Sequence, residues 1–235
     1  MERDKRFHRR GFITMAAAGA GAILNRGSKS SVSLAAERRQ GEGHEVTPAE
    51  DLMFEHGIIE RLLLIYDEAA RRIDDGRQVP AKLIFDAASI IRSFAEDYHE
   101  KLEEQFVFPR LEKAGQHADL ARTLQAQHAV GREVTTALLD MTKAGTLAQP
   151  QRAPQAMRSF YRMYIPHISR ENSVAFRAFH DLIPAQEYAE LGEQFEAKEH
   201  ALFGEDGFSK TVDRVAAIEK ELGIHDLAQF TAKKG

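Results

Sequence analysis

From Thr47 onward, apolar residues recur every three or four positions, and no stretch shows the two-residue period of a strand. Leu52, Met53, Ile59, Leu62, Leu63 and Tyr66 trace the first apolar stripe. In front of it, Thr47-Pro48-Ala49-Glu50 is a capping box with proline at the first helical position. Asp74-Asp75-Gly76 closes this helix. Pro80 opens a second helix that runs to about Ala114-Gly115. A third covers about 117–144 and stops at Gly145. After a polar Gln/Pro/Ala loop, a fourth runs over about 152–183 and ends at Pro184. Two amphipathic segments follow, about 185–202 and 209–222, joined by Phe203-Gly204-Glu205-Asp206-Gly207-Phe208. The pattern predicts an all-α protein: an antiparallel up-down four-helix bundle over 47–184 and a helical extension over 185–235.

The first 46 residues follow another pattern. Arg9-Arg10 stands one residue before Phe12-Ile13, and a small-residue apolar stretch runs from Phe12 to Leu24. This resembles a twin-arginine export signal over 1–35, with a small-x-small cleavage site at Ser33-Leu34-Ala35. The bland alternative is a basic tail with a chance arginine pair. Residues 36–46 read as a polar linker. An export signal of this kind predicts a periplasmic protein that is carried across the membrane already folded, often with its metal aboard.

Composition narrows the functions available. At 235 residues and 43% hydrophobic, the chain has room for one ordinary domain beside the leading segment. Mean hydropathy is -0.42, and no apolar run approaches the roughly 20 residues of a membrane span. Residues 1–35 hold seven basic and two acidic side chains, yet the whole chain has a net charge of -4. The remainder is therefore strongly acidic, with no electrostatic reason to bind nucleic acid or an anionic membrane. Cysteine is absent, which excludes disulfides, thiol nucleophiles, iron–sulfur clusters and cysteine zinc sites.

Histidine carries the chemistry. Each of the four long helices has one: His56, His99, His128 and His167. In an antiparallel hairpin, residues equidistant from the turn lie side by side, and these four are nearly equidistant from the intervening turns. They are expected in one layer of the core. His99 and His167 are each followed four residues later by a carboxylate, Glu103 and Glu171. Positions i and i+4 share a helix face, so each pair aims an imidazole and a carboxylate at one point. Six such groups buried without a cation would be costly. Around two metals they balance: two histidines for each, with both glutamates able to bridge. An oxo, hydroxo or water bridge makes five ligands and leaves one open position per metal.

These residues are where a family resemblance lies. Glu55-His56, the His99–Glu103 motif running on to Phe108-Pro109, Gln127-His128 and the His167–Glu171 motif resemble the hemerythrin-like, HHE cation-binding family over about 50–180. The resemblance implies a non-haem di-iron centre, two iron ions with an oxo or hydroxo bridge, held by His56, His99, Glu103, His128, His167 and Glu171. Oxygen-carrying hemerythrins have a further histidine where this chain has Arg132. They have aspartate at the place of Glu171, and the family usually has Phe-Pro where this chain has Phe176-Arg177. Four histidines and two glutamates look more like the repair-of-iron-centres branch, although that branch often carries a cysteine that this chain lacks.

Several neighbours have two readings. Glu60, four residues after His56, is either a seventh ligand or proton donor, or a partner for Arg132. Tyr98 and Tyr164 either donate a hydrogen bond or an electron near the metals, or simply pack. His117 lies too far along its helix, His180 lies off the face of His167, and Glu196 with His200 reads as surface. His8, His44 and His225 fall in tail, linker and C-terminal segments. Three functions remain: a di-iron protein that binds or reduces dioxygen, peroxide or nitric oxide; a sensing module without turnover; and a bundle stabilised by a structural metal.

Overall fold

The structure is a computed structural model, and it describes residues 46–232. Arg9-Arg10 and the rest of the leading segment lie outside the described residues. Among the described residues there are six helices, one short 3-10 turn at Leu227–Phe230 and no strand.

Helix α1, Pro48–Asp74, begins with the capping box read from the sequence. The Thr47 backbone N–H donates to Glu50 Oε2 at 2.9 Å, and the Glu50 N–H donates to Thr47 Oγ1 at 3.3 Å. Two of the orphan donors at the helix start are thereby satisfied. Helix α2 is a continuous rod over residues 81–114, but its ladder changes register twice. The pitch is π over Ile91–His99 and again over Glu103–Val107. Pro109 offers no N–H to the carbonyl of Gln105, which helps loosen the second of these segments. Gly115, at φ +68°, ends the rod in the left-handed region. Helix α3 is Ala118–Thr142. Helix α4, over residues 153–182, has a third π segment at Glu171–Ala175. Each π segment begins or ends on one of the six predicted metal-site residues (His99, Glu103 or Glu171). Such bulges concentrate at functional sites because they re-aim side chains without ending the helix.

α1 packs chiefly on α4, and α3 packs on both α2 and α4. The core between them is apolar and fully buried: Leu52, Leu62, Leu63, Phe94, Phe160 and Phe176 are each at most 1% exposed. Each such side chain contributes roughly 1.5–3 kcal/mol by leaving water.

Helices α5 (Ala185–Phe203) and α6 (Gly207–Leu222) lie against α1 and α2. Phe203 of α5 packs edge-on to Tyr98, with centroids 5.5 Å apart. Arg61 of α1 makes a two-pronged bond to Glu219 of α6 at 2.8 and 2.6 Å. The sixth helix starts at Gly207, two residues before the expected position.

Candidate metal centre

His56, His99, His128 and His167 come from α1, α2, α3 and α4 and meet in one layer, each at most 3% exposed. Glu103 and Glu171 enter the same layer fully buried. Glu103 turns Oε1 toward His99 Nε2 (3.4 Å) and His56 Nε2 (3.9 Å), and Oε2 toward His128 Nε2 (3.5 Å). Glu171 turns Oε1 toward His167 Nε2 (2.9 Å) and Oε2 toward His56 Nε2 (3.4 Å). Each carboxylate thus spans the His56/His99 pair and the His128/His167 pair. Ile59, Tyr164 and Ile168 line the small internal space with them.

The outer nitrogens of the four rings are all occupied. His56 Nδ1 meets Asn172 Oδ1 at 2.7 Å and His99 Nδ1 meets Glu55 Oε2 at 2.7 Å. His128 Nδ1 meets Glu104 Oε1 at 3.2 Å and His167 Nδ1 meets Gln127 Oε1 at 2.8 Å. An ionised carboxylate only accepts, so His99 and His128 must donate from Nδ1. The amide oxygens of Asn172 and Gln127 ask the same of His56 and His167. Each ring then presents a lone pair on Nε2 to the interior, the tautomer a metal takes.

These supports form a cycle. Glu55 of α1 holds the histidine of α2, and Glu104 of α2 holds that of α3. Gln127 of α3 holds that of α4, and Asn172 of α4 closes the ring on α1. Each supporting residue is the chain neighbour of one ligand candidate and orients another on the next helix. Glu55 also accepts from the Tyr98 hydroxyl at 2.9 Å. Glu100 accepts from the Tyr164 hydroxyl and from Arg132, each at 2.6 Å, and Arg132 also reaches Glu104 at 2.6 Å.

Two observations show that this donor set suits a cation. All four oxygens of Glu103 and Glu171 are buried without a hydrogen bond of adequate geometry. Leaving one such group unsatisfied costs on the order of 1–3 kcal/mol. In addition, His128 Nε2 faces His167 Nε2 at 3.2 Å, so two lone pairs oppose each other unless a positive charge lies between them. The protonation equilibria agree. Burial pushes His99 down, but Glu103 and Glu55 outweigh it and hold the ring well above its ordinary value. His128 is raised in the same way, burial being outweighed by Glu104, Glu100, Glu103 and Glu171. Burial pushes Glu171 up, but His167 and His56 hold it below the ordinary carboxylate range. Without a metal, protons would supply the missing positive charge. Two of the four ion-sized groupings among the described residues are made wholly of these six: His56, His99 and Glu103; and His128, His167 and Glu171.

Other sequence expectations are revised. Glu60 is neither in the layer nor paired with Arg132; it is exposed, on the outer stripe with Met53, Gly57 and Leu64. Four residues advance a helix by 400°, not 360°, and His56 stands where the extra rotation leads outward. Arg132 pairs instead with Glu100 and Glu104. Tyr98 is linked to His99 through Glu55, while Tyr164 contacts the ring of His167 at 5.1 Å. His117, His180 and His200 are exposed. The roles of Glu55, Glu100, Glu104, Gln127 and Asn172 do not follow from helical spacing, although Glu55 and Gln127 stand in the sequence motifs. Their adjacency to the ligand candidates was the signal that could have found them.

Residues 47–179 match the hemerythrin HHE cation binding domain. The chain is 49% identical over 189 residues to the uncharacterized proteins Rv1995 of Mycobacterium tuberculosis and Mb2018 of Mycobacterium bovis, spanning 79% of this chain and 74% of each relative. No solved structure gives a significant match. The layer of histidines and glutamates therefore lies inside a recognised cation-binding domain, and the chain belongs to the hemerythrin HHE cation-binding family.

Proposed function

We propose that α1–α4 form an antiparallel four-helix bundle that holds two iron ions and binds or reduces a small oxidant: dioxygen, peroxide or nitric oxide. α5 and α6 are additions to that bundle. His56 and His99 would hold one ion and His128 and His167 the other, with Glu103 and Glu171 shared between them. The observation that carries the reading is the set of four Nε2 lone pairs and four orphaned carboxylate oxygens converging in one buried layer. A donor set of imidazole and carboxylate without thiolate suits iron better than magnesium or calcium.

Bound there, iron supplies electrons and open coordination positions. The protein does the rest. The Nδ1 partners fix the ring planes, Ile59 and Ile168 keep bulk water away, and Tyr164 stands at the edge of the internal space. Four histidines with two glutamates look more like the repair-of-iron-centres branch than the oxygen carriers, which supports a nitric oxide ligand over reversible oxygen carriage.

The test is metal content on untagged protein, with absorption spectra before and after anaerobic reduction. Two irons per chain with an absorption band that bleaches on reduction support the reading. Zinc alone, or an intact fold with no metal, overturns it. The twin arginine also supports periplasmic export. Replacing Arg9 and Arg10 by lysine should leave the protein in the cytoplasmic fraction; unchanged distribution would remove that part of the proposal.

A further inference from the structure

Tyr164 is placed with more care than a packing residue needs. It is 2% exposed, and its ring lies 5.1 Å from that of His167 and 4.3 Å from that of Phe160, stacked on the latter. Its hydroxyl donates to Glu100 Oε1 at 2.6 Å, within the range of a charge-assisted O–H···O bond. The other oxygen of Glu100 accepts from Arg132 at 2.6 Å, which keeps Oε1 turned to the phenol. Space for that hydroxyl is made by Gly131 on α3. A Cβ at this position would stand 2.3 Å from the Tyr164 oxygen.

We propose that Tyr164 is a redox-active tyrosine that gives one electron to the metal centre through His167 while passing its hydroxyl proton to Glu100. This rests on the di-iron reading above. Removing an electron from a phenol makes its O–H strongly acidic, so transfer succeeds only where a proton acceptor is already in hydrogen-bond contact. Glu100 is that acceptor, and burial against Phe160 keeps the oxidised ring from solvent.

The step balances with a peroxide as oxidant. Hydrogen peroxide takes two electrons, one from Tyr164 by way of the metal centre and one from bound ferrous iron, and two protons from solvent; its O–O bond breaks and two waters form. The Tyr164 O–H bond breaks, the proton ends on Glu100 Oε1, and a neutral tyrosyl radical remains. Tyr98 is a poorer candidate although it also donates to a carboxylate. Its ring packs on Phe94 and Phe203, and it does not line the internal space.

The experiment loads the full chain anaerobically with ferrous iron, adds stoichiometric hydrogen peroxide, freezes the mixture within milliseconds and records the electron paramagnetic resonance spectrum. Iron is assayed in every sample. The parent should give a narrow organic-radical signal that changes when the protein is made with ring-deuterated tyrosine. Tyr164→Phe should lose the signal at unchanged iron content, Tyr98→Phe should keep it, and Glu100→Gln should weaken it severalfold per bound iron. Iron bound without a radical in the parent, or a radical that survives Tyr164→Phe, overturns the proposal and leaves the di-iron reading standing. A parent that binds no iron overturns both.

Discussion

The two halves of the metal layer are built by one rule and set in different surroundings. The His56/His99 half is supported by Asn172 and the fully buried Glu55, with Tyr98, Phe203 and Phe176 around them. The His128/His167 half is supported by Gln127 and by Glu104, and runs outward through Glu100, Glu104 and Arg132. The Arg132 side chain is 24% exposed and that of Glu104 is 14% exposed. Burial pushes the Glu104 carboxyl up, but His128, Lys101 and Arg132 bring it down to about 2. Rings pack against both halves, Phe176 on His56 and Phe108 and Tyr164 on His128 and His167, and only the second half is also connected to the surface by this charged network.

The sharpest break removes one ligand from each half. His99→Ala and His167→Ala should each lose metal, with iron per chain falling by at least half in an elemental assay. Full retention in either variant refutes its place in the ligand set.

Next come the outer partners. Glu55→Ala should weaken metal binding by about 10–100-fold, the usual range for a residue that orients a ligand. Glu104→Ala should fall short of that, because water can replace a partly exposed carboxylate at His128. Competition with a chelator of known affinity gives both numbers; equal losses would erase the distinction drawn between the halves.

Helix glycines offer a smaller contrast. Gly57 sits next to His56 with nothing within 4 Å of a new Cβ, whereas Gly131 faces the Tyr164 hydroxyl. Gly131→Ala should cost about 1–3 kcal/mol by overpacking. Gly57→Ala should stabilise by about 0.5–1 kcal/mol through backbone entropy. Denaturant unfolding of the metal-free proteins would show opposite signs.

The last effect is a pH dependence one turn from the layer. Burial raises the Glu96 carboxyl to about 7, against the pull of Thr135, Arg92 and Arg132. Between its unfolded value and about 7 the folded protein binds the extra proton, so this group's contribution is full at low pH and is lost as pH rises through about 7. Glu96→Gln removes that loss. The difference in stability between variant and parent should move in favour of the variant from pH 5 to pH 8. A difference that is flat with pH would show that Glu96 is not held protonated.

Much of this protein is local and therefore legible in the chain. The capping box at Thr47, the proline and glycine punctuation and the 3.6-residue period set the helix limits to within two or three residues. Equidistance from turns and the i,i+4 spacing single out His56, His99, His128, His167, Glu103 and Glu171, and the fold brings those six together. What the sequence could not settle is how each helix is rotated and which neighbour it meets. Glu60 fails for that reason, since a 40° excess per four residues decides between core and solvent only once the axis is placed. The π segments shift the phase of α2 and α4 further, and nothing in a periodic pattern announces them. Glu55 beside His56 looks like a local pair, yet it orients His99 on the next helix; Gln127 and Asn172 repeat this. A side chain's hydrogen-bond partner is the nearest complementary group in space. The chain fixes which groups are on offer, and only the packing of four helices fixes which of them is nearest.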